Sequence, residues 1–247
     1  MLKLIGTLEI SRPTVLFLSG ANVSPCVFDR VESDGVFQFA AVDYCQSPGP
    51  WNLPALGERV CAFIRDRRLG PTALAGWSAG GGIAMAAAAQ EPELIRGLFL
   101  SNTGPTGKGH GNPNFPQQIR DHWGETEFFE KLLRGWFSRP LPPFLHERLF
   151  DYISSVKREC AYDLAVSVRE VDFREALRAY RSPVSIAHGV LDKARTAEHV
   201  KMMTDSMPQA DVYWLENAGH ASVVENANVW QKAFSDFLTK VRKTERL

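Results

Sequence analysis

The chain has 247 residues, 45% hydrophobic and 23% charged, with 28 basic residues balanced by 28 acidic ones. That is enough for one α/β domain with an insertion, and zero net charge gives no field favouring nucleic acid or an anionic membrane surface. No apolar run approaches the ~20 residues that span a bilayer.

Met1 to Ile10 contains Glu9 and no continuous apolar stretch, so it does not read as a signal peptide. The four cysteines, Cys26, Cys45, Cys61 and Cys160, are scattered with no C-x-x-C pair, which suits reduced thiols in a cytoplasmic protein. Thr14-Val15-Leu16-Phe17-Leu18 reads as a fully buried strand running into a turn, Ser19-Gly20-Ala21-Asn22. A second strand, Phe37 to Val42, ends at Asp43, which is expected to order the loop after it. Pro54 opens a helix to about Arg68, with Leu56, Val60, Phe63 and Ile64 on one face.

Next come a short strand, Thr72 to Ala75, the pentapeptide Gly76-Trp77-Ser78-Ala79-Gly80, and an Ala-rich helix, Gly81 to Gln90. Gly97 to Ser101, Val184 to His188 and Asp211 to Leu215 are further strands, and Val229 to Val241 closes the chain as an amphipathic helix. Strands alternating with helices predict a mostly parallel sheet flanked by helices on both faces. The stretch from Gly104 to Arg181 breaks that alternation. It opens with a Gly/Pro/Asn-rich loop and continues with helical patterns carrying Phe128, Phe129, Leu132, Leu133, Trp136 and Phe137. The expected organisation is a core of residues 1–103 and 182–247 with a helical cap, 104–181, over the carboxyl edge of the sheet. Most of the cap aromatics are expected to form its own core.

The pentapeptide fits G-x-S-x-G. A serine on a tight strand-to-helix turn adopts a strained backbone, so only small residues fit two positions to either side. The turn lifts the hydroxyl clear of the sheet and sets it at a helix N-terminus, where free N–H groups can receive an oxyanion. A serine hydroxyl also needs a base, and the base needs a third group to orient it. His220, in Asn217-Ala218-Gly219-His220-Ala221, directly follows the last strand, and Asp192 lies just past the preceding one. The order Ser78, Asp192, His220, with separations of 114 and 28 residues, leaves room for the cap and then for one helix and one strand.

The oxyanion donors are expected to be the backbone N–H groups of Ala79 and Ala21, with Asn22 as alternative. Asn22, Trp77, Trp136 and Arg134 are candidate substrate contacts. Arg120, Arg134 and Arg139 are candidate basic groups for a charged acid product. His110, His122, His146 and His199 fall in the cap or on a helix, and His188 has a simpler role in packing at a strand end. No metal-ligand cluster or phosphate-binding loop is evident, so no cofactor is expected.

The chain resembles the α/β-hydrolase fold superfamily and within it the 3-oxoadipate enol-lactonase-like group, from about Thr14 to the final helix. The resemblance rests on Gly76-Trp77-Ser78-Ala79-Gly80, Phe99-Leu100-Ser101-Asn102-Thr103, Gly135-Trp136-Phe137-Ser138, Val171-Asp172-Phe173-Arg174, Asp192 and Ala218-Gly219-His220. It implies hydrolysis of a small ester or lactone, with Ser78, Asp192 and His220 as triad, by a monomer or homodimer without nucleic-acid or membrane partners. The chain departs from the group at Ser19-Gly20-Ala21-Asn22, at Tyr44 to Gly49, and at Lys193-Ala194-Arg195-Thr196, where Thr/Val-Pro usually follows the acid. Its N-terminal hairpin also looks short. C–C bond hydrolysis, thioester hydrolysis and a non-catalytic ligand receptor remain as alternatives. A serine nucleophile argues against haloalkane dehalogenation and epoxide opening, which need a carboxylate.

Overall fold

In a computed structural model, which describes residues 1–10 and 12–244, seven strands form one sheet. They are β1 (Lys3–Ile5), β2 (Thr14–Leu18), β3 (Gln38–Asp43), β4 (Thr72–Trp77), β5 (Ile95–Ser101), β6 (Val184–Gly189) and β7 (Asp211–Leu215). The helices are α1 (Leu53–Asp66), α2 (Ala79–Gln90), α3 (Phe115–His122), α4 (Thr126–Trp136), α5 (Pro143–Ser155), α6 (Arg158–Glu170), α7 (Arg174–Leu177), α8 (Ala197–Ser206), α9 (Ser222–Glu225) and α10 (Ala227–Lys243).

Side chains alternate along a strand, so an unbroken apolar run buries both faces of the sheet at once. Leu16, Leu18, Leu74, Leu98, Leu100 and Ile186 share one core with residues of α1 and α2. Val15, Phe17, Ala73, Ala75, Phe99 and Ala187 share the other with Trp230, Phe234 and Phe237 of α10. The strand order is β1-β3-β2-β4-β5-β6-β7. All pairings from β3 to β7 are parallel, so the ends of β2, β4, β5, β6 and β7 emerge on one edge. The first segment makes no hairpin with β2. Instead β1 lies antiparallel on β3, as a three-residue edge strand.

The helix after β3 begins at Leu53 because Asn52 caps it, its Oδ1 accepting the Ala55 N–H at 2.9 Å. It stops at Asp66, before Arg68 turns to a φ of 53°. α2 begins at Ala79, earlier than the alanine run suggests, because Ser78 is already its N-cap.

Between β5 and β6 the chain forms α3 to α7, with an isolated bridge from Thr106 to Asp172. Ile119, Phe128, Phe129, Leu132, Ile153, Ala161 and Ala165 pack together within this insertion. Asp43 joins it to the core. Its carboxylate accepts the Gln46 N–H at 3.3 Å, as a loop-ordering group should, and pairs with the Lys3 ammonium at 3.1 Å. It also accepts the Tyr152 hydroxyl of α5. The Ser167 hydroxyl of α6 accepts the Leu53 N–H at 2.8 Å, a second tie between insertion and core. Among the described residues all four cysteines are free thiols, and no helix is long and apolar enough to cross a membrane.

Two glycines separate fold from filler. A Cβ on Gly80 would sit 2.0 Å from the Leu18 carbonyl oxygen, whereas one on Gly135 meets nothing within 4 Å. Gly80→Ala is expected to lose several kcal/mol or to fail to fold, since backbone must move, and Gly135→Ala to gain about 0.5–1 kcal/mol from helix propensity. Urea unfolding of both variants against wild type checks this.

Candidate active site

β4 runs into Ser78, whose N–H continues the sheet by donating to the Ser101 carbonyl at 3.0 Å. Ser78 then turns to φ 54° and ψ −119°, a strained conformation for a residue with a Cβ. The turn closes only because its flanks are bare: a Cβ on Gly76 would lie 2.5 Å from the Gly80 carbonyl oxygen. As N-cap of α2, Ser78 is in the usual place to give its hydroxyl to a helix N–H, yet it makes no such bond. The hydroxyl instead lies 2.9 Å from His220 Nε2, and His220 Nδ1 lies 2.9 Å from Asp192 Oδ2. The carboxylate fixes the tautomer. Nδ1–H donates to Asp192, which leaves Nε2 to accept the Ser78 proton.

Asp192 is held on every side. Oδ1 accepts the Ala194 and Arg195 N–H groups at 2.8 and 2.9 Å, and Oδ2 also accepts Asn102 Nδ2–H at 2.9 Å. Burial pushes this carboxyl's pKa up. The His220 hydrogen bond and charge and the Arg195 and Asn102 donors outweigh that, and it falls to about 2.

Asn102 sits at φ 46° just past β5 and is fully buried. Its amide also donates to the Gly219 carbonyl at 3.0 Å, and its Oδ1 accepts the Ser222 hydroxyl. One side chain thus spans the loops carrying Asp192 and His220. Thr103 adds a bond from its hydroxyl to the Ser78 carbonyl at 2.7 Å.

Ser78 and His220 open onto a cavity of about 170 Å³ between the sheet edge and the insertion. Ala21, Asn22 and Ala79 form its floor side, and Phe115, Trp136 and Arg169 come from the insertion. Ala79 is the first residue of α2, so its N–H has no partner within the helix. The Ala21 N–H meets no acceptor among the described residues. A hydroxyl, a base in line with it and two residues with uncommitted N–H groups, all lining one cavity, can together handle a carbonyl carbon and its developing oxyanion.

A family model described as alpha/beta hydrolase family matches residues 15–230. The chain belongs to this family. Among curated hydrolase relatives, it is 25% identical over 232 residues to the AB hydrolase superfamily protein YisY of Bacillus subtilis, covering 85% of this chain and 86% of that one. It is 24% identical over 240 residues to a pimeloyl-[acyl-carrier protein] methyl ester esterase of Yersinia pestis, covering 90% of both. The hydrolase fold is shared with the enol-lactonase from Burkholderia xenovorans, at a TM-score of 0.85 and 19% identity over 97% of this chain and 96% of that one.

Of the residues singled out in the sequence, the fold brings Ser78, Asp192, His220, Ala21, Asn22, Ala79 and Trp136 together. Trp77 is not on the cavity wall. It points with Ala73 and Ala75 into the core under α10, where its Nε1–H holds the His220 carbonyl at 2.6 Å. Arg134 is likewise elsewhere, exposed on α4 with Glu130 at 3.8 Å, beside a separate cleft of about 450 Å³. Arg139 bonds the Asn217 and Glu225 carbonyls, and Arg120 stacks on Tyr162 at 4.2 Å. The arginines that do reach the cavity are Arg169 and Arg195, which sequence patterning did not select.

The charge on Asp192 has a stability signature. An aspartate at about 2 in the fold against about 3.9 unfolded stabilises fully above the unfolded value, and that stabilisation is lost as pH falls toward about 2. Urea titrations of wild type and Asp192→Asn at about pH 6 and about pH 3 should show the difference between them shrinking by about 1 kcal/mol at the lower pH, in disfavour of wild type.

Proposed function

We propose that the chain is a serine-dependent carboxylic ester hydrolase acting on a small ester or lactone. The observation that carries this reading is the unbroken chain Ser78–His220–Asp192, with both links at 2.9 Å, opening onto a cavity beneath the insertion. The esterase and enol-lactonase activities named for proteins similar to this one support the same reaction class.

In this reading Ser78 Oγ attacks the substrate carbonyl carbon while His220 Nε2 takes the hydroxyl proton, and Asp192 stabilises the imidazolium. The carbonyl oxygen, now an anion, is received by the Ala79 and Ala21 N–H groups, and the positive end of α2 adds to their effect. Collapse expels the alkoxide, which takes the proton from His220. Water, deprotonated by His220, then attacks the acyl-enzyme, and the acid leaves as Ser78 recovers its proton. Asp192 keeps its charge throughout, because four hydrogen bonds fall on its two oxygens. The insertion serves as a cap, limiting the substrate to what fits under Phe115 and Trp136.

Turnover separates an enzyme from a ligand receptor built on the same fold. Wild-type protein is expected to hydrolyse p-nitrophenyl acetate and butyrate through many cycles, and Ser78→Ala to lose about 10⁴–10⁶-fold in kcat. Equal activity in Ser78→Ala, or a single slow cleavage in wild type, would overturn the reading.

A further inference from the structure

Side chains hold the backbone around His220 at three points. The Gly219 carbonyl accepts Asn102 Nδ2–H at 3.0 Å, and the His220 carbonyl accepts Trp77 Nε1–H at 2.6 Å. The Gly219 N–H donates to Glu225 Oε2 at 2.6 Å. Asn102 and Trp77 come from the sheet, but Glu225 reaches further. Its other oxygen, Oε1, accepts the Ser138 hydroxyl at 2.7 Å and the Ser138 N–H. Ser138 belongs to the insertion, two residues past Trp136, which ends α4 and lines the cavity.

Helix α9 makes the double reach possible. The Val224 and Glu225 N–H groups donate to the Ala221 carbonyl at 2.9 and 3.0 Å, a single turn that brings Glu225 back over Gly219. The insertion meets it there, since a Cβ on Gly219 would lie 2.9 Å from Ser138 Cβ and 3.3 Å from Glu225 Oε2. Arg139 Nη2 donates to the Asn217 carbonyl at 2.8 Å and to the Glu225 carbonyl at 2.6 Å, spanning the two ends of the segment that carries His220. Phe137 is buried in the same core as Trp77 and Trp230. Three consecutive residues of the insertion, Phe137, Ser138 and Arg139, therefore grip the core beside the loop of the base. None of them lines the cavity, and neither does Glu225.

A base works only within a narrow range of positions, and a displacement of about 1 Å can cost ~10²-fold in rate. In the resting site the imidazole has a partner at each nitrogen. Once Ser78 Oγ is acylated it can no longer give a proton to Nε2. The ring must then be aimed at water by Asp192 and by the backbone that carries it.

We propose that Glu225 is a positioning residue for His220, and that it anchors the base to the insertion, so that the cap takes part in catalytic alignment as well as in enclosing the substrate. This rests on the ester-hydrolase reading, which makes His220 the base. Glu225 acts through the Gly219 N–H and touches neither the substrate nor the reacting atoms.

Glu225→Ala should lower kcat and kcat/KM for p-nitrophenyl butyrate together by about 10–100-fold, with KM within about 3-fold of wild type, the pattern of lost transition-state alignment. Glu225→Gln, which keeps the length and one accepting oxygen, should recover part of that loss. Rates are taken per folded molecule, with urea unfolding run alongside. Ser138→Ala and Arg139→Gln alter exposed side chains away from the cavity, and each should lower kcat about 2–10-fold. Unchanged kcat in folded Glu225→Ala, or in both exposed variants where that one does not fold, overturns the proposal, as does a loss confined to KM. The low-field proton resonance of His220 Nδ1–H on Asp192 gives a reading that needs no turnover. It should be sharp in wild type and broadened or lost in Glu225→Gln. If wild type hydrolyses no ester, this resonance alone decides. Its loss in the variant keeps the positioning role while the hydrolase reading fails, and its persistence overturns both. Turnover in wild type that Glu225→Ala leaves unchanged keeps the hydrolase and removes the positioning role.

Discussion

The site depends on how closely α2 approaches the end of β2. The first turn of the helix lies so near that a single methyl group on Gly80 would be 2.0 Å from the Leu18 carbonyl oxygen. That approach brings the Ala79 N–H and the turn after β2 to the same side of one cavity. It also forces Ser78 into a conformation that a side chain ordinarily avoids, at a cost of order 1–3 kcal/mol. The cost is carried by the sheet on either side, where Ala75, Gly76 and Trp77 pair with Phe99, Leu100 and Ser101.

Parallel strands do the rest of the assembly. Each delivers one chemical group to the same edge: Ala21 after β2, Ser78 after β4, Asn102 after β5, Asp192 after β6 and His220 after β7. Asn102 then sets the spacing of the last two, because a single amide bonds both the carboxylate and the loop that carries the imidazole. The insertion is fastened by polar contacts at its base, through Tyr152 to Asp43 and Ser167 to Leu53, and packs its own aromatics above.

What could be read from the sequence follows from this division. Strands buried on both faces announce themselves as apolar runs, so β2 was legible to the residue and β3 to β6 within one or two positions at an end; the partly buried β7 was legible to the residue as well, and the short edge strand β1 was not. The sequence order of Ser78, Asp192 and His220 was legible because each group follows its own strand. Strand neighbours were not. Nothing in Phe99 to Thr103 says that β5 lies beside β6, so the place of Asn102 against Asp192 appears only when the sheet is assembled. Trp77, a candidate substrate contact by sequence, lies in the core beneath α10 for a related reason, since the face of the sheet that a strand's side chains cover is set only when the sheet is assembled. Arg169 and Arg195 were invisible for a third reason. One looks like a helix-surface cation and the other like a loop cation until the insertion folds over the sheet. Residues 11 and 245–247 lie outside the described structure, and no expectation about the site falls on them.

The hydroxyl of Ser78 sits where most proteins would use it to tie down the start of a helix, and here it does not. Helix α2 is therefore already organised without that oxygen, its opening turn secured by the Ser78 carbonyl accepting from Gly81 and by close packing of small residues. In the proposed mechanism, deleting the oxygen removes the nucleophile and leaves the scaffold's own bonding intact. The alanine form thus preserves the shape and charge of the pocket, which makes it a faithful trap in which an uncleaved natural substrate could be caught and seen.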